Sequence, residues 1–143
     1  MLNSNDWHET HGQFLIDSQA LLFKSEECLS HLELFGEDED AATCLPATLN
    51  RLSELAAHAS VDSIADFSRQ LAVVLERHGA GTPLPRDALL VIKSCLTLMS
   101  WQLELIDPRT GELPMDGDEQ RELLDRLADT CSVTDSATNC AIE

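Results

Sequence analysis

Histidines and cysteines are the residues of this chain best suited to chemistry. His58 falls at a break between two helical patterns, and an exposed imidazole there could carry a phosphoryl group. The residues after it are Ala59, Ser60, Val61 and Asp62. Val61 brings no charge to hold a phosphoryl group, and Asp62 repels one. The plainer reading is a helix-end histidine facing the C-terminal dipole or solvent. His8 and His11 stand three apart with Glu9 between them, one residue short of the H-E-x-x-H spacing. Two ligands without a third nearby make a poor zinc or nickel site, so solvated side chains are expected. The run Glu37-Asp38-Glu39-Asp40 lacks the spaced oxygens and central glycine of a calcium loop. It reads as a solvated helix start. No metal and no cofactor is expected.

Five cysteines, Cys28, Cys44, Cys95, Cys131 and Cys140, form an odd and widely spread set without a C-x-x-C pair. Neither a zinc site nor a redox motif is signalled. Cys28, Cys44 and Cys95 lie on or beside apolar helix faces, where a free thiol acts as a small hydrophobe. Cys140-Ala141-Ile142-Glu143 has the form of a prenylation motif, but its final Glu is unusual and no polybasic segment precedes it. It is read as chance. Gly-rich phosphate loops, the Gly-x-Ser-x-Gly elbow and Cys/His nucleophile arrangements are missing from the sequence. The expectation is a protein that is not an enzyme.

Charge narrows the partners. Asp and Glu number 26 against 9 Lys and Arg, for a net charge of -17. Nucleic-acid binding draws on Lys and Arg to neutralise phosphates, so no nucleic-acid partner is expected. An anionic membrane surface repels the chain as well. The same field favours a basic protein surface and speeds encounter with it; the plainer role of the charge is solubility. The first ten residues are polar, without an apolar signal core, and no apolar run reads as membrane-spanning. A reduced, cytoplasmic protein is the expectation. Oligomeric state is left open.

The elements that must position these residues are helices. Aromatics make up only 4% of the chain, and strand-like alternation is hard to find, whereas Leu and Ala recur at helical spacing. A first helix from Asp6 to Gly36 carries Phe14, Leu21, Cys28 and Phe35 every seven residues, with Leu15, Leu22 and Leu29 beside them. A second, with Pro46 near its start, buries Leu45, Leu49, Leu52, Leu55, Ala56 and Ala59. Ser60 is expected to cap a third that buries Ile64, Phe67, Leu71, Val74 and Leu75 and stops at His78-Gly79. After a Gly/Pro loop, a fourth from about Pro85 to Ile106 is the most apolar, and Asp107-Pro108 ends it. Trp101 on this helix is expected in the core rather than as an interface anchor. A fifth, capped by Asp116 or Asp118, turns Leu123, Leu124, Leu127 and Ala128 inward. Residues 1–130 are expected to form one domain and 131–143 a disordered polar tail.

The order and loop spacing of these helices resemble histidine phosphotransfer (HPt) domains. The likeness is to the degenerate N-terminal modules of type IV pilus chemosensory kinases and related pilus-regulating proteins of pseudomonads. It rests on Cys44-Leu45-Pro46-Ala47, Ser63 through Leu71, the Gly/Pro loop, Asp87 through Ile92 and Gly111-Glu112-Leu113-Pro114. It covers roughly Phe14 to Ala128. The resemblance implies an all-α, antiparallel four-helix bundle with one additional helix, in a signalling context. A gap-free alignment puts Asn50 at the place of the family's phosphoaccepting histidine, with Ser53 and Glu54 at its Lys and Gly. Asn50 cannot form a phosphoramidate, and Glu54 adds bulk and negative charge where a regulator docks. The expected function is a non-catalytic, pseudo-HPt interaction module binding a basic surface of a signalling or pilus-regulating protein. Its contact face would carry Asn50, Arg51, Glu54 and His58. The alternatives are a true phosphocarrier using His58, or an unrelated helical adaptor or oligomerisation domain.

Overall fold

A computed structural model describes residues 7–35, 38–79, 84–114 and 117–142, with side chains from 11 to 130 within those ranges. Five helices follow one another: α1 (Trp7–Phe35), α2 (Glu39–His58), α3 (Asp62–His78), α4 (Arg86–Leu105) and α5 (Asp118–Ile142). Among the described residues there is no strand, and the all-α expectation holds.

Local chemistry sets most of the boundaries. The carboxylate of Asp38 caps α2 by accepting from the Ala41 N–H at 3.1 Å, and Glu39 and Asp40 follow in the first turn. These acids satisfy and complement the exposed N–H groups of the helix start. At the other end of α2 the sequence misleads. Ser60 is not a cap for α3; it takes a left-handed conformation at φ 64°, and Val61 occupies the cap position without a side-chain bond. The N–H of Ser60 donates to the Ala57 carbonyl, and that of Val61 to the Ala56 carbonyl at 2.8 Å. This paired pattern closes α2 with a left-handed residue where glycine is the usual choice, and buries Val61 against the core. Gly79, at φ 90°, ends α3 as expected. In α1 the backbone leaves helical geometry at His11 (φ -123°, ψ 20°), beside Gly12.

The helices pack as a closed ring: α3 on α2, α2 on α1, α1 on α4, α4 on α5, and α5 back on α3. The fifth helix is therefore part of the wall. The three-residue turn between α2 and α3 makes these helices antiparallel neighbours. Ser53 Oγ donates to the Ala65 carbonyl at 2.7 Å, near the turn, and Asn50 Nδ2 to Glu76 Oε2 at 3.2 Å, farther from it. Inside the ring lie Leu45, Leu49, Leu52, Ile64, Phe67, Leu71, Ile92, Leu96, Met99 and Leu127, all essentially solvent-free. Burial of this apolar surface drives the fold. By length and composition α4 could cross a membrane, contrary to the sequence reading, but more than half of its apolar window is buried in this protein. That is how the core helix of a helical domain behaves.

Three apolar positions depart from the expected pattern. Phe35, Trp101 and Ala128 are exposed. The helical backbone of α5 also continues to Ile142, through the stretch expected as a tail; no Gly or Pro interrupts the sequence from Asp118 onward. The side chains of 131–143, including Cys131, Cys140 and the C-a-a-X-like end, lie outside the described residues, as does that of His8.

A polar chain fastens α5 to its neighbours. Gln120 Nε2 donates to Gln102 Oε1 at 3.1 Å, and Ser63 Oγ donates to Gln120 Oε1 at 3.3 Å, joining α3, α4 and α5. Both glutamines are buried, so each depends on the other. Gln102→Leu should cost about 1–3 kcal/mol because it strands the Gln120 amide. Gln102→Leu combined with Gln120→Leu should cost less than the two single changes added, and urea unfolding of the three variants measures this.

Candidate functional site

Asn50, Arg51, Glu54 and His58 share the outer side of α2. Asn50 is half-buried and tied to Glu76 of α3. Arg51 and Glu54 are exposed and pair with each other at 3.4 Å, a solvent-screened contact of little energetic weight. His58 is exposed in the last turn of α2. The structure thus brings Asn50, Arg51 and Glu54 together, with His58 one to two turns farther along. The neighbouring surface of α3 is similarly polar, with Asp66 and Arg69 paired at 3.3 Å. Asn50 carries an amide, so the middle of this face has no nucleophilic nitrogen.

A different surface has the character of a docking site. Between α4 and α5 runs an open groove of about 600 Å³. Leu90 and Trp101 border it from α4 and are 53% and 62% exposed. Buried Leu98 and half-buried Leu123 add apolar lining between the helices. The spacing Leu90, Ser94, Thr97, Trp101 follows helical periodicity, so one face of α4 carries both large apolar groups over about 16 Å. Glu119, Glu122, Lys93 and Arg126 are its charged groups, with Glu122 and Arg126 paired at 3.1 Å. An exposed Trp beside an open apolar groove is the composition of an interface anchor. The expected core placement of Trp101 is therefore wrong. Ser94 and Thr97, between Leu90 and Trp101, are the signal that this side of α4 faces outward.

The thiols fall into two settings. Cys95 is fully buried in α4, and burial alone pushes its pKa up to about 12. Cys28 of α1 and Cys44 of α2 instead share a surface cavity of about 380 Å³ with Lys24, His31 and Asp38. Burial first, and then the hydrogen bond and charge of Cys44, push the Cys28 pKa up to about 12. The Cys44 pKa is held below the usual thiol range, chiefly by the hydrogen bond from Cys28, with help from Thr48 and Lys24 against partial burial. The Cys44 Sγ and Thr48 Oγ1 atoms are 3.6 Å apart. His31 Nδ1 and Asp38 Oδ2, 3.5 Å apart, link α1 to the start of α2 at the same cavity. Sequence spacing carries no sign of this pair, because its partners come from different helices.

Among the described residues no group of three or more His, Cys, Asp or Glu side chains could hold a metal ion. Compared with known proteins, the chain matches no family model, no curated protein and no solved structure.

Proposed function

We propose that this protein is a non-catalytic interaction module of the pseudo-HPt kind, acting in bacterial two-component or chemosensory signalling in the cytoplasm. The signalling context rests on the resemblance in helix order and loop spacing. The observation that carries the interaction role is the groove between α4 and α5, with Trp101 and Leu90 held in water at its edge. Its occupant is an amphipathic helix of a signalling or pilus-regulating protein, with an apolar stripe about three turns long flanked by basic residues. The length follows from the separation of Leu90 and Trp101. The basic flanks follow from the net charge of -17, which attracts a cationic partner. This groove is preferred over the α2/α3 face because the latter is covered by polar and paired side chains that already satisfy one another.

Incubation with a kinase and its phosphorylated response regulator separates this reading from a phosphocarrier. The intact mass should show no acid-labile phosphate. A phosphate adduct that disappears in His58→Ala would establish the carrier reading instead. A photo-crosslinking residue placed at Thr97, inside the groove, should then trap a kinase, regulator or pilus-regulating protein in cells. Exclusive self-crosslinking would point to an oligomerisation domain.

A further inference from the structure

We infer that Cys28 and Cys44 form a redox-active dithiol that reduces hydrogen peroxide and closes into a disulfide joining α1 to α2. The inference is independent of the groove. Both are free thiols that border one open cavity, Cys44 partly exposed and Cys28 buried. They line this cavity from two helices that pack directly on each other, Cys28 from α1 and Cys44 from α2.

The arrangement assigns a separate task to each sulfur. Cys44 has the access and the electrostatic support for first attack. Lys24 lines the cavity and favours its thiolate, as do the hydrogen bonds from Cys28 and Thr48. The cavity is also lined by Glu27, Asp38 and Asp40, which oppose a thiolate, and by the imidazole of His31. The Cys44 sulfur attacks one peroxide oxygen, the O–O bond breaks, and the departing hydroxide leaves as water after taking a proton. Cys44 is now a sulfenic acid, oxidised by two electrons as the peroxide is reduced. The Cys28 sulfur then attacks the Cys44 sulfur. The S–S bond forms, the S–O bond breaks, and the departing hydroxide takes the Cys28 proton as a second water. Two thiols and one peroxide become one disulfide and two waters. Cys95, enclosed in the core with its pKa raised to about 12, has neither access nor a partner for this chemistry among the described residues.

Hydrogen peroxide is the probe. Trypsin cuts after Lys24 and Arg51, so Cys28 and Cys44 share the peptide 25–51, while Cys95 falls on another and Cys131 and Cys140 on a third. Brief peroxide treatment of the folded protein should make peptide 25–51 two hydrogens lighter and block its alkylation, and a reductant should reverse both. Cys44 should react roughly 10-fold or more faster than Cys95. In Cys28→Ser, a dimedone-type reagent should trap a sulfenic acid at Cys44; in Cys44→Ser, Cys28 should stay reduced. Circular dichroism checks that both variants remain helical, and Cys28→Ala substitutes if the serine variant does not fold. The oxidised protein should melt about 10 °C higher than the reduced one. Oxidation of Cys44 to the sulfinic acid while Cys28 stays reduced, a disulfide formed only through Cys131 or Cys140, or no reaction at 25–51 would each overturn the inference.

Discussion

Phe67→Ala should lower the free energy of unfolding by about 3–5 kcal/mol. A domain of this size holds roughly 5–15 kcal/mol in all, so this one change removes a large share of it. The reason is position. Phe67 is 1% exposed, and it stands on the helix that packs against both α2 and α5. Truncation loses the transfer energy of the ring and leaves a cavity between helices held apart by their own backbones. Phe67 is among the residues that line the α3/α5 cleft, so water can reach some of the vacated space, and the lower half of the range is expected. Urea unfolding should show a lower midpoint with an unchanged slope. Val73→Ala, on the same helix but at an exposed position, should change stability by no more than about 0.5 kcal/mol. Equal effects at 67 and 73 would contradict this packing of α3.

The apolar period of Leu and Ala makes the five helices and most of their ends legible in the sequence. Leu45, Leu49, Leu52, Ile64, Phe67 and Leu71 fall on the inward stripes of that pattern, and all six are buried. What the pattern misses depends on angle or on distant partners. Phe35 falls on the seven-residue repeat of Phe14 and Cys28, but it ends α1 at a point where it is exposed. Residue type alone favours a core Trp101, although its alignment with Ser94 and Thr97 marks the outer side of α4. Ser60 has the chemistry of a cap, and a left-handed ending is ordinarily announced by glycine. The burial of Gln102 is intelligible only with Gln120, which arrives on another helix. The same holds for Cys28 and Cys44: their separation along the chain says nothing, and the α1/α2 packing alone brings them to one cavity. Of the expected contact residues, the type and exposure of Arg51, Glu54 and His58 are legible. The bond that ties Asn50 to Glu76 is not.

Trp101→Ala should weaken binding of the crosslinked partner by roughly 30-fold or more, since truncating a Trp anchor that the partner covers costs about 2 kcal/mol or above. The same change should leave folding stability within about 1 kcal/mol, because 62% of the residue already faces solvent and α4 keeps its buried stripe. This separation is the diagnostic feature: a core Trp loses stability and binding together, whereas an anchor loses binding alone. Calorimetric titration of the purified partner, with urea unfolding in parallel, reads both quantities. Glu54→Lys serves as the contrast on the α2/α3 face. It reverses one exposed charge, so a groove-bound cationic partner should associate at most a few-fold more slowly and with a shallower salt dependence. If Glu54→Lys abolishes binding while Trp101→Ala leaves it intact, the partner docks on α2 and α3, and the exposed Trp has another purpose. If Trp101→Ala removes the affinity and Glu54→Lys only slows association, apolar anchoring supplies the affinity and the acidic surface guides encounter.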